Sequence, residues 1–226
     1  CETCNTYNML KMSSQLYCIT GKAKYAEYYE NAYINTILSS QNPATGMTTY
    51  FQPMATGYFK VYGEKFDKFW CCTGSGMENF TKLGSNYYYV DEDTVYAALF
   101  VSSELELPER GVTIVQEAEV LAGGDTKFTV KGNATGLKLA VRIPSWETAV
   151  PCVRKNGTYV ETETRDGYMV VESLADGDVI EVDFHMTVTA VPLPDADIVF
   201  AFRYGPIVLS ALLGTDKMWT TTTGMF

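Results

Sequence analysis

Apolar positions recur at three- and four-residue steps along the first forty residues. In "NTYNMLKMSSQLYCITG" the residues Met9, Met12, Leu16 and Ile19 fall on one stripe, which predicts an amphipathic helix stopped by Gly21. "KAKYAEYYENAYINTILSSQ" repeats the pattern with Tyr25, Tyr29, Ala32, Tyr33 and Ile37. Two such helices joined by a short "TGK" turn predict an antiparallel helical hairpin. "NPATG" breaks the pattern, and from about Met47 to Trp70 no clean period holds while Pro53 and Gly63 interrupt the chain. A long irregular connection with room for short strands is expected there, and such segments often carry function. "GSGMENFTKLG" then reads as a third, short helix with Ser75 as its cap and Gly84 as its end.

From Tyr87 the period changes to two. "TVYAALFVSSELEL", "VTIVQEAEV", "TKFTVKG", "LKLAVRIP", "YMVVES" and "DVIEVDFHMTVTAV" are β-rich runs punctuated by glycine turns, the pattern of an antiparallel sandwich. "IVFAFRYGPIVLSALLG" adds two more strands or a strand returning to the helical part. The expected organisation is a helical segment over 1–86, a β-sandwich over 87–191 and further strands over 192–226.

Composition narrows the classes of partner. Of 226 residues, 46% are hydrophobic and 19% charged, and no apolar run approaches the roughly 20 residues a membrane helix needs, so a membrane is not an expected partner. The net charge of −10 disperses 17 basic residues among 27 acidic ones, which argues against nucleic acid or anionic lipid and favours a neutral ligand. The 16 tyrosines and 3 tryptophans suit sugar stacking, although Tyr-rich strands and helix interfaces explain such a count equally well. With no initiator Met or targeting segment, and with Cys1 already at the edge of a motif, the chain is expected to begin and to end mid-protein. The compartment, cytoplasmic or other, stays open.

The candidate chemistry lies in the cysteines. "CETCNTYNMLK" opens the first helix, and "FWCCTGSGMENF" sets Cys71 beside Cys72. Cys18 and Cys152 stand apart and read as buried hydrophobes. Cys4, Cys71 and Cys72 with Glu2, or with Cys1, would make a tetrahedral zinc site. From spacing alone, a buried inert pair or a Cys71–Cys72 disulfide are the alternatives.

In order along the chain, "ETCNTYNMLK", "FWCCTGSGMENFTKLG" and "FRYGPIVL" resemble the carboxyl-terminal half of glycoside hydrolase family 127 and its relative family 146, the zinc-thiolate β-L-arabinofuranosidases. The resemblance covers nearly the whole chain. It implies an α + β multidomain fold in which the last helices of an (α/α)6 barrel precede an antiparallel β-sandwich. It also implies that Glu2, Cys4, Cys71 and Cys72 bind Zn2+, that Cys71 is the nucleophile of a retaining hydrolase releasing L-arabinose, and that Tyr50 of "TTYFQP" touches the sugar. The general acid and the sugar-binding histidines are implied to lie upstream, which leaves His185 as a structural residue within a β-strand and Glu78 as a solvated helix carboxylate. The implied partner is a neutral L-arabinofuranoside, with homo-oligomerisation compatible with it. A reading of another class is a noncatalytic carbohydrate-binding protein whose cysteines hold structural zinc.

Overall fold

A computed structural model describes residues 2–54 and 59–212, and shows a mixed α + β structure. Helix α1 (Thr3–Thr20) and helix α2 (Ala23–Ala32) form the hairpin that the periodicity predicts. Gly21 closes α1 at φ 64°, with its N–H donating to the Tyr17 carbonyl at 2.7 Å, a left-handed geometry that glycine adopts without steric cost. Among the described residues, no helix is long and apolar enough to cross a membrane.

The period of α1 is the expected one, but its phase is not. The helix buries Thr3, Tyr7, Leu10, Ser13 and Tyr17, whereas Met12 and Ile19 are exposed and Met9 and Leu16 are half-buried. Cys18, expected inside, is exposed by the same rotation, and Cys152 is only half-buried. Phenols take the inner stripe because their hydroxyls find partners there. Tyr17 Oη lies 2.5 Å from Tyr168 Oη, and its ring packs 4.0 Å from that of Tyr89. On α2 and the π turn that continues it (Tyr33–Ile37), Tyr29, Ala32, Tyr33 and Ile37 are buried as read, with Tyr25 half-buried.

Helix α3 (Cys71–Thr81) starts four residues ahead of the expected Ser75 cap and ends before Gly84. Trp70, extended at φ −90° and ψ 169°, is the cap residue, and its N–H donates to Thr73 Oγ1 at 3.3 Å. Gly74 and Gly76 lie inside the helix. Gly76 marks its closest approach to the preceding connection, where a Cβ would meet the Thr48 side chain at 3.4 Å.

The strands form three sheets. The first, in the order β1 (Tyr88–Val90), β2 (Thr94–Ala97), β6 (Lys138–Arg142), β10 (Tyr168–Val171), β9 (Glu163–Arg165), contains one parallel pair, β2 with β6, where the sequence pattern led us to expect only antiparallel neighbours. The second runs β3 (Ser103–Leu107), β4 (Val112–Ala118), β5 (Thr126–Gly132), β11 (Val179–Asp183), β7 (Cys152–Lys155), β8 (Thr158–Tyr159). One apolar core, with Leu139, Val141 and Met169 from the first sheet and Ile114, Phe128 and Ile180 from the second, joins the two. The run "TVYAALFVSSELEL" is thus split between sheets as β2 and β3. The hairpin strands around 152–165 escaped the pattern because they are short and mostly polar. His185 lies just beyond β11 and not in a strand, and its N–H donates to Glu147 Oε2 at 2.8 Å.

The third sheet, β12 (Val188–Leu193), β13 (Ala196–Tyr204) and β14 (Ile207–Val208), starts a few residues before position 192. Its last hairpin docks on the helices: Asn35 Nδ2 donates to the Pro206 carbonyl at 2.9 Å, and the Val208 N–H donates to Asn35 Oδ1 at 2.8 Å.

Strand β6 holds the layers together. Leu139 and Val141 face the sandwich core, while Ala140 and Arg142 face the helical hairpin, so both faces are covered and the strand reads as a near-continuous apolar run. Arg142 is fully buried. Its Nε donates to the Ala98 carbonyl at 2.8 Å, Nη1 to Glu27 Oε2 at 2.5 Å and Nη2 to Glu30 Oε1 at 2.6 Å. The indole of Trp146 donates to Glu30 Oε2 at 2.9 Å, and the Ser145 hydroxyl donates to Glu27 Oε1 at 2.5 Å. Burial pushes the Glu30 carboxyl up, opposed chiefly by the neighbouring guanidinium.

Removing Arg142 would strand Glu30 without its cation. Arg142→Met is expected to lower unfolding free energy by about 3–5 kcal/mol in urea titrations. Adding Glu30→Leu should recover part of that loss, because the more deeply buried carboxylate is then gone and Glu27, partly exposed, keeps its Ser145 hydrogen bond. A double variant as unstable as the single one would refute this account of the clamp.

Candidate functional site

Residues 67 positions apart meet at the amino-terminal ends of two helices. Cys4 lies in the first turn of α1, and Cys71 and Cys72 are the first two residues of α3. Successive helical side chains diverge by about 100°, yet at the open end of a helix both can turn toward a group beyond its first turn. The Sγ atoms of Cys4, Cys71 and Cys72 all lie within 4.8 Å of one another, and Cys4 Sγ is 3.7 Å from Cys71 Sγ. The Cys4 thiol donates to Glu2 Oε2 at 3.5 Å. All three thiols are free, so no Cys71–Cys72 disulfide forms.

The irregular connection assembles the rest of the site. Glu2 bridges to Phe51, Gln41 to Thr48 and Thr49 to Tyr62, all antiparallel, so isolated backbone pairs, with no extended strand among the described residues, hold the connection in place. Thr49 is fully buried, and Gln52 Nε2 donates to the Thr36 carbonyl at 3.1 Å. These anchors set Tyr50 beside the cluster, its ring 5.4 Å from that of Trp70 and 4.3 Å from that of Phe51. Hydrogen bonding to Glu2 and Cys71, followed by their charge, pushes the Tyr50 phenol up to about 12. Burial, followed by hydrogen bonding with Cys72 and Cys71, pushes the Cys4 thiol up to about 12.

The two adjacent thiols are not equivalent. Cys72 is fully buried, whereas Cys71 is exposed. The partial positive charge at the amino-terminal ends of α1 and α3 favours negative charge in the cluster. Glu78 is exposed on α3 and acts on the buried Tyr7 phenol, whose pKa rises first through burial and then through this neighbour. Cys1 lies outside the described residues. Sequence reasoning missed Trp70, Phe51 and Thr49, although "TTYF" ahead of Pro53 carries the β-branched and aromatic signal of a short paired segment.

The donor set fits zinc. Thiolates around one zinc at roughly 2.3 Å in tetrahedral geometry sit roughly 3.8 Å apart, which the Cys4–Cys71 separation of 3.7 Å already matches. Glu2, expected as a ligand, falls outside this group of three thiols and is placed against it by the contact of its Oε2 with Cys4 Sγ at 3.5 Å.

Residues 1–85 match the family model described as the GH127 catalytic domain of β-L-arabinofuranosidase, and residues 94–186 match that of the GH127 middle domain. Solved structures agree on the fold. A GH127 beta-L-arabinofuranosidase from Geobacillus stearothermophilus T6 superposes with a TM-score of 0.77 at 22% identity, over 92% of this chain and 36% of that one. A second structure, a GH127 beta-arabinofuranosidase, gives 0.80 at 26% identity over 92% and 36%. A third, titled a glycoside hydrolase, gives 0.79 at 21% over 92% and 37%. The chain thus spans little more than a third of the length of these relatives. Among curated proteins, none matches the chain in sequence.

One zinc ion per chain is the expected stoichiometry by metal analysis after dialysis, and cobalt(II) in its place should show thiolate charge-transfer absorption. Loss of an outer-shell partner alone typically costs roughly 10–100-fold in metal affinity. Cys4→Ala, Cys71→Ala and Cys72→Ala should each cost at least that much. Unchanged binding in any of the three would remove that residue from the ligand set.

Proposed function

We propose, from the premise that the chain is a glycoside hydrolase-like protein matching the family 127 catalytic and middle domains, that it carries the nucleophile of a retaining β-L-arabinofuranosidase. The observation that carries this reading is the unequal exposure of adjacent thiols in one cluster: Cys71 open to solvent, Cys72 fully buried. A structural four-ligand site has no need of an accessible sulfur. On this reading residues 1–86 are the last helices of an (α/α)6 barrel, and residues 87–191 are the sandwich that supports them.

Glu2, Cys4, Cys71 and Cys72 would hold Zn2+, which when bound keeps sulfur in its thiolate form at neutral pH. Cys71 attacks the anomeric carbon as the bond to the leaving oxygen breaks, giving a glycosyl thioether that water then hydrolyses with net retention. Cys72, Cys4 and Glu2 orient Cys71 and do not react. Tyr50 lies beside both Glu2 and Cys71, where its phenol is available to a sugar hydroxyl. Protonation of the leaving oxygen needs a second group, and the resemblance assigns it to a glutamate outside residues 1–226. A polar furanose with several hydroxyls suits the phenol of Tyr50, the Glu2 carboxylate and the Trp70 ring that stand near the thiols.

The two cysteines should separate experimentally. After treatment of the zinc-loaded protein with an electrophilic arabinofuranose analogue, peptide mass spectrometry is expected to find the label on Cys71. Cys71→Ser should abolish labelling. Cys72→Ser should weaken metal retention while leaving residual labelling that rises with added zinc. Label on Cys72, or on a carboxylate with both thiols unmodified, would overturn the assignment. A chain that binds zinc tightly and labels nowhere would favour the noncatalytic carbohydrate-binding reading.

A further inference from the structure

A second concave site lies at the opposite end of α1 from the thiols. From Cys4 to Thr20 the helix climbs about 24 Å at roughly 1.5 Å per residue. There the "TGK" turn of the hairpin and the outer face of the first sheet enclose a cleft of about 480 Å³. This volume falls within the roughly 300–1,000 Å³ usual for ligand sites, which occur preferentially where domains meet. The thiol cluster contributes nothing to its lining.

The chain has net charge −10, yet four cations converge on this cleft: Lys22 from the turn, Lys24 from the start of α2, Lys138 from β6 and Arg165 from β9. One carboxylate, Asp166, shares the lining. The other acids that pair with these cations stand outside it. Lys138 meets Asp93 at 3.0 Å and Glu172 at 4.0 Å, while Arg165 uses Nη2 alone, to Glu163 at 3.0 Å. Arg165 therefore keeps the donors on Nε and Nη1 for a ligand. Between the cations lies Tyr96, whose hydroxyl donates to Asp91 Oδ2 at 2.9 Å and whose ring is set edge-on to Tyr168 at 5.3 Å between centroids. Cations on both walls with a phenol held between them match a sugar ring that bears a carboxylate: the ring packs on the tyrosine while the carboxylate accepts from guanidinium and ammonium groups.

We propose that this cleft is a binding site for an anionic saccharide, a uronate unit of an acidic glycan, separate from the hydrolytic centre. The choice of a saccharide over another carboxylate rests on the glycoside hydrolase reading, whereas the anion preference rests on the cleft alone. The site would hold the protein on a polysaccharide that carries both acidic and neutral sugars.

The test is calorimetric titration of the 226-residue protein with an oligogalacturonate, a neutral arabino-oligosaccharide and inorganic phosphate, with no reading of hydrolysis. The oligogalacturonate is expected to bind, and to bind less tightly as salt rises. The triple variant Lys22→Gln, Lys24→Gln, Arg165→Gln should lose roughly tenfold or more in affinity at low salt. Lys22→Arg with Lys24→Arg should bind as the parent does, and matched thermal unfolding of all variants guards against misfolding. Equal oligogalacturonate affinity in the parent and the triple variant would overturn the proposal, as would no binding to the parent. Phosphate binding as tightly as the oligogalacturonate would overturn the saccharide and leave a simple anion site. Labelling at Cys71 is read separately, so failure of the hydrolase reading and failure of this cleft give different results.

Discussion

The guanidinium of Arg142, with no contact with solvent, fixes how the helical hairpin sits on the sheets. A buried cation must be matched group for group or its desolvation penalty goes uncompensated. Here every nitrogen is engaged: Nε by the Ala98 carbonyl, Nη1 and Nη2 by Glu27 and Glu30 on α2. Such a pair adds little over a well-packed apolar one in net stability, but it tolerates no sliding, because a shift of α2 by one turn would separate both carboxylates from their donors. Registration of α2 sets α1 through the hairpin, and α1 carries Cys4 at one end and the cationic cleft at the other. Strand β6 is the common support, lying between β2 and β10 with one face on each layer.

Sequence periodicity exposed the parts whose neighbours are local. The hairpin, the change of period near Tyr87, and strands such as "TKFTVKG" follow from side-chain spacing alone. The phase of α1 did not, since Tyr7 and Tyr17 are amphipathic, and a search for aliphatic stripes assigns the interior to Met12 and Ile19 instead. The start of α3 was hidden for a different reason. "CCTGSG" has poor helix propensity, and the helix is held there by the Trp70 cap and by Gly76 packing against Thr48, a contact that no local window contains. The run "DVIEVDFHMTVTAV" concealed a passage between sheets, because alternation persists across the break between β11 and β12 while the partners change.

The site was legible in a different way, through residue type and not through spacing. Glu2, Cys4 and the cysteine doublet are recognisable as a set, yet their distance in sequence says nothing of how they meet. Three isolated backbone bridges in the connection after the hairpin, together with the packing of α1 on α3, bring them together. These are long-range contacts between segments with no regular pattern, which is where reasoning from periodicity has least purchase. The unequal exposure of Cys71 and Cys72 depends on the rotation of α3 about its axis, so it too required the assembled structure.

Taken without a metal, the cluster is electrostatically frustrated, and this gives its composition a meaning. Cys4 and Tyr50 are both pushed up to about 12, Cys4 chiefly by burial and Tyr50 chiefly by hydrogen bonding to Glu2 and Cys71. In each case the adjoining acids contribute, since a second anion beside an existing one is unfavourable. A set of groups that all gain charge by losing protons cannot ionise together unless a cation is placed among them. Helix amino-terminal ends relieve part of this repulsion, each contributing typically 0.3–1 kcal/mol, which is too little to hold three thiolates and a carboxylate in contact. A divalent ion held among the three thiols would remove the conflict and fix the direction of every sulfur. On the function proposed above, Cys71, the thiol left open, would carry the reactivity, and Cys72, the buried one, would keep it aimed.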